Sequence, residues 1–178
     1  MPLGDSLTHW SARAAAILYV VAIIQQLLAR SSDKRASGRW AWTIGCVVLW
    51  VHVALAMHFV YCWDHELMIR ETARQTGEFT GWAWRGGAYV NYVFMLVWVI
   101  DVIWWWSAGH QRYRRRPIWV SIIIHTFLAF IAINAVVVFA KGPVCWGGIA
   151  ACVAVVAVAW RGRRRVRVAA SLAEEMVR

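Results

Sequence analysis

Charge is scarce in this chain. Of 178 residues, 16% are charged and only 9 are acidic, whereas soluble domains carry about a quarter charged residues. With 61% hydrophobic residues and 14 tryptophans, that shortage excludes an ordinary water-soluble globule. So much apolar surface cannot be hidden inside one small domain, and its natural solvent is lipid. Signatures of soluble enzymes are also missing: there is no phosphate loop, no G-x-G-x-x-G, no G-x-S-x-G and no H-E-x-x-H. No internal repeat or low-complexity linker divides the chain, and its length suits a single domain over 1–178. No basic region precedes the first apolar run. No small-x-small cleavage site follows "QQLLARSSD", so that run reads as a retained helix rather than a secretory signal.

What the chain does have is apolar runs, at about 10–29, 40–63, 88–108, 118–140 and 143–160. A helix rising about 1.5 Å per residue needs roughly 20 residues to cross about 30 Å of hydrocarbon. The first run reaches that length with Arg13 snorkelling to the interface. Strands are a poor alternative, because open sheet edges in lipid leave backbone groups unpaired. The expectation is an all-α integral membrane protein, a bundle of five transmembrane helices. "KGP" at Lys141–Pro143 reads as a tight turn that makes the last two helices neighbours. Small residues Gly147, Gly148, Ala150 and Ala151 read as a packing seam.

The net charge of +10 is unevenly placed. Arg30, Lys34, Arg35 and Arg39 follow the first run, Arg112 and Arg114–Arg116 follow the third, and Arg161, Arg163–Arg165 and Arg167 follow the fifth. With five alternating helices these clusters share one side. The positive-inside rule then puts the N-terminus outside and the C-terminus in the cytoplasm of an inner membrane. The clusters read as orientation signals beside anionic lipid rather than as a nucleic-acid surface. The tail 161–178 reads as a short amphipathic helix on the membrane. Trp40, Trp42, Trp104–Trp106, Trp119 and Trp160 fall at the inner end, and Trp10, Trp63, Trp82, Trp84 and Trp146 at the outer end, where aromatic belts form.

Ionisable residues inside hydrocarbon are costly and therefore candidate sites. Counted from the inner helix ends, Asp101 lies about 9 Å deep and His125 about 10 Å. They are read either as a buried pair joining two helices or as a proton or ion relay. His52 lies about 18 Å deep, and His58, Asn91 and Asn134 about 24–27 Å deep. Asn91 is expected to line an outer polar pocket, and Asn134 to make an interhelical hydrogen bond.

In "HFVYCWDHELMIRETARQTGEF", His58, Cys62, His65, Ile69, Thr72 and Thr76 recur at helical spacing. Glu66–Arg70, Glu71–Arg74 and Arg74–Glu78 are opposite-charge pairs three or four apart. The second helix is therefore expected to continue past Trp63 towards residue 78, stopping near Gly77–Gly81, as a helical outer loop.

His58, Cys62 and His65 on one face are candidate ligands for a transition metal. His52 and His125 could instead hold haem b across the bundle. A competing expectation is a Cys62–Cys145 disulfide on the outer side, with Cys46 and Cys152 as packing residues. Three functions stay open at this point: a redox subunit binding haem or metal, a small proton or ion transporter or channel using Asp101 and His125, and a non-catalytic membrane subunit. Small size points to self-association or membrane partners.

Overall fold

The computed structural model describes residues 2–28, 32–135 and 143–176, with side chains at 3–28, 37–78, 80–135 and 145–161. Within them lie six helices: α1 (Pro2–Leu28), α2 (Ser32–Phe59), α3 (His65–Thr80), α4 (Gly87–Arg114), α5 (Ile118–Ile133) and α6 (Pro143–Met176). The described residues hold no strand. Three stretches are long and apolar enough to cross a membrane: Leu3–Leu28, Ser37–Phe59 and Gly87–Arg114. Two shorter apolar helical stretches, Ile118–Ile133 and Cys145–Arg161, accompany them.

α1 and α2 form an antiparallel hairpin. Gly4 meets Phe59, Leu18 meets Gly45 and Gln25 meets Gly38, so numbers rise on one helix as they fall on the other. Gly45 allows this approach. A Cβ there would sit 3.2 Å from the Leu18 Cβ and 3.2 Å from Cζ2 of Trp98, tighter than ordinary contact. Lipid supplies little drive for apolar groups to leave it, so close packing of this kind carries helix association in a membrane. α4 then lies against α2, and α5 against α4.

The core is aromatic. Tyr19, Trp42 and Trp98 contact one another with centroids 4.9–5.4 Å apart, in the tilted and edge-on arrangements aromatic rings favour. Trp42 and Trp105 therefore lie inside the bundle, not in an interfacial belt as their positions in sequence suggested. Trp10, Trp63, Trp82, Trp84 and Trp146 are exposed. So are Ile17, Val47, Leu96, Ile103, Ile122 and Phe130, on the outward helix faces. Apolar exposure on this scale is far beyond the isolated patches of soluble monomers and calls for a lipid solvent.

Two expected neighbours are not found. α6 has its main contact with α1, and among the described residues it makes no comparable contact with α5. The "KGP" turn lies partly outside the described residues, at 136–142. α6 also runs unbroken from the fifth apolar run into the basic tail, as one helix of 34 residues.

The larger correction concerns the second helix, which unwinds after Phe59. The N–H of Trp63 closes back onto the carbonyl of Met57 at 2.7 Å, and Cys62 and Trp63 take left-handed φ of 50° and 62°. Asp64 then restarts the chain as the N-cap of α3, its Oδ1 accepting from the Leu67 N–H at 2.9 Å. An aspartate in that position satisfies one of the donors a helix start leaves orphaned. α3 ends where its glycines predict, with Gly81 at φ 75° and its N–H bonded to the Gly77 carbonyl.

α3 packs Met68 and Ile69 against Ala88 and Tyr92 at the start of α4. Its polar face carries the expected ion pairs. Arg70 meets Glu66 at 3.2 Å, Arg74 meets Glu71 at 2.5 Å and also Glu78, and Arg85 adds a contact of 2.7 Å to Glu66. Hydrogen bonds from Arg74, then Gln75, hold the Glu71 carboxyl down to about 2, from an ordinary 4.5. Arg85 lowers Glu66 in the same direction. A depressed carboxyl contributes stability above its unfolded value and loses it as pH falls through the folded one. Amide protection of α3 in hydrogen exchange is therefore expected to hold down to about pH 4.5 and to decay as pH falls towards about 2. The effect should shrink in high salt, since these pairs are exposed. Decay that begins well above the carboxylate range would contradict this origin.

Candidate functional site

The polar centre of the molecule lies at the arginine-rich end of α4 and is built around Asp101. That residue is completely buried. A carboxylate in such a place must be paired and hydrogen-bonded on all sides or it will not stay ionised. α4 supplies the partners by breaking. At Gly109 the backbone takes φ 72° and ψ 166°, a region essentially reserved for glycine. The chain bends there, and Tyr113 lies flat on Trp105, with centroids 4.4 Å apart and planes 2° from parallel. Its hydroxyl donates to Oδ2 of Asp101 at 2.7 Å. Trp42 of α2 donates to the same oxygen through Nε1 at 3.1 Å.

Arg116 completes the set from the turn before Pro117 and α5. Nη1 donates to Oδ1 of Asp101 at 2.5 Å, Nε to Oγ of Ser121 at 2.7 Å, and Nη2 lies 3.2 Å from Nε2 of His125. Its side chain is only 3% exposed. The guanidinium also stacks 4.1 Å from the Tyr113 ring. Guanidinium can only donate, so His125 accepts at Nε2 and carries its proton on Nδ1. Nδ1 is buried without a partner among the described residues. The His125 ring rests 5.6 Å from Trp42. One charge pair thus ties α2, α4 and α5 to the turn between the last two.

Arg116, which reads in sequence as an orientation signal, contacts both Asp101 and His125 and stands between them. A signal existed: a lone acid on an apolar helix requires a permanent counter-charge, and Arg112–Arg116 was the nearest source.

The other candidates stay apart. His52 of α2 holds α1, its Nδ1 lying 3.0 Å from the Thr8 carbonyl and 3.3 Å from Oγ of Ser11. His58 accepts from Nε1 of Trp63 at 3.3 Å. His65 stacks on Tyr92, with centroids 5.8 Å apart. The break at Cys62 separates His58 from His65, so the stripe is not continuous. Asn91 is exposed; Tyr92, not Asn91, meets α3. Asn134 donates to the Phe130 carbonyl of its own helix at 2.7 Å rather than across helices.

Cys62 and Cys145 are unbridged, as are Cys46 and Cys152. Cys62 sits on the α2–α3 break, and α6, which carries Cys145, has its main contact with α1. No three His, Cys, Asp or Glu side chains among the described residues converge as a metal set. Nε2 of His125 faces Arg116, which takes that nitrogen away from a haem iron.

The architecture is that of a helical protein with membrane-type apolar helices and an internal ion-pair centre. No protein family, curated protein or solved structure matches the chain.

Proposed function

We propose that this chain is a non-catalytic, lipid-embedded subunit of an inner membrane, spanning it five times with its N-terminus outside and its C-terminus in the cytoplasm. α1, α2, α4, α5 and the first part of α6 are the spans, and α3 lies on the outer face. The observation that carries the reading is the closed bonding of the Asp101 centre. Oδ1 and Oδ2 both accept, and each nitrogen of Arg116 is engaged. A relay needs a carboxyl oxygen open to a proton donor or carrier, whereas both oxygens of Asp101 are taken by Arg116, Tyr113 and Trp42. Its role is to hold helices together, with the exposed apolar faces left for lipid and for membrane partners.

Two arms test this. Purified protein in liposomes carrying an internal pH dye is expected to leak protons no faster than empty liposomes. Flux abolished by Asp101→Asn would instead make the centre a relay. In a background where Cys62 is the sole cysteine, a membrane-impermeant maleimide is expected to label it in intact cells. A cysteine placed at Ser107 should react only after permeabilisation. The reverse pattern would overturn the orientation.

A further inference from the structure

We infer that the outward face of the turn after Gly109 is a docking surface for anionic phospholipid headgroups. The observation is a division of labour within one short segment. Tyr113 and Arg116 face inward and are buried, which leaves Arg112, Arg114 and Arg115 exposed on the other side. The chain carries no Asp or Glu from residue 102 to residue 173. The one carboxylate buried nearby, Asp101, already has both oxygens bonded to Arg116, Tyr113 and Trp42. The three arginines form no ion pair among the described residues.

Among the described residues no carboxylate answers these arginines, so charge complementarity points to an anion beyond them. What surrounds the arginines selects the kind. Trp104 and Trp106 before them in the chain and Ile118, Trp119, Ile122 and Ile123 after them are exposed. Arg39 adds a fourth cation to the same rim, 3.9 Å above the Trp106 ring. Guanidinium groups, tryptophans and bare aliphatic surface within one short stretch match the phosphate, glycerol and acyl chain of a phospholipid. Guanidinium forks match phosphate oxygens in pairs, and indole rings settle at headgroup depth.

Docking has a structural consequence. The segment that offers Arg112, Arg114 and Arg115 to lipid is the one that seats Arg116 on Asp101, so headgroup binding holds the internal centre closed. This goes beyond the function proposed above and rests on its membrane placement.

The test uses the full chain in two stages. Flotation with vesicles of phosphatidylcholine alone checks the placement; failure to float sinks that reading and this one with it. Binding of headgroup-labelled phosphatidylglycerol to the protein in neutral detergent then checks the surface. Each basic side chain near a membrane surface contributes roughly fivefold to binding, so single Arg→Gln changes at 112, 114 or 115 are expected to weaken binding about fivefold. The triple change should approach a hundredfold loss, while Arg70→Gln on α3 changes nothing. Should the triple variant not fold, the three single variants decide. The inference falls if these variants bind like the parent chain, if Arg70→Gln weakens binding equally, or if inorganic phosphate or RNA displaces the lipid.

Discussion

Replacing Arg116 by methionine is expected to destabilise the bundle by about 3–5 kcal/mol, the cost of leaving a buried charge without its partner. Methionine fills much of the volume, so the loss reports the charge and not a cavity. Asp101 would keep only the hydroxyl of Tyr113 and the indole of Trp42, two neutral donors for a full negative charge. Asp101→Asn should approach the same loss from the other side, because it strands the guanidinium. The double change Asp101→Leu with Arg116→Met is expected to recover most of the stability, since buried pairs replaced by apolar groups of like volume are often neutral or better. Reversible unfolding by sodium dodecyl sulfate in mixed micelles, followed by tryptophan fluorescence, measures all three. A methionine variant as stable as the parent would show that Arg116 does not neutralise Asp101.

The second large effect is expected at Gly109. An alanine there cannot comfortably hold φ 72° and ψ 166°, and the strain alone costs about 1–3 kcal/mol. The cheaper response is for α4 to run on as regular helix. That carries Tyr113 off Trp105 and withdraws Arg116 from Asp101. The loss should therefore approach that of Arg116→Met, and the two changes combined should cost far less than their sum, because each breaks the same lock. Full additivity in a double-mutant cycle would mean that the bend and the ion pair are independent.

The lock also shows how far sequence reasoning reaches. A lone acid and a histidine at matched depth on neighbouring apolar helices read as a buried pair or a relay, and in the structure Arg116 stands between them. Depth alone cannot reveal the bridging residue, because Arg116 lies outside any apolar run and reaches inward only after the backbone turns at Gly109. Ser121 and His125, four apart, share one face of α5, and helical phase says which face is polar and not what meets it.

The region after Phe59 fails for a related reason. The charge pairs at three and four residues are present along α3, but they carry no information about Cys62 and Trp63, where the helix breaks. Nothing in "YCWDH" is a glycine or proline, so no helix breaker announced the break. The capping aspartate did, and its side chain shows why: it satisfies the start of a new helix rather than the exposed face of an old one.

Composition and the length of the apolar runs by themselves determined that this chain is helical and that its outward surface suits lipid, because backbone groups in hydrocarbon must be satisfied within their own helix. The glycines that stop α3 and the ion pairs along it are equally local. Tertiary structure alone decided that α6 leans on α1, that Trp42 and Trp105 turn inward, and that an arginine of the basic cluster becomes the counter-ion of Asp101. Those outcomes depend on which surfaces approach in space, and a buried charge takes the partner that the folded backbone can deliver.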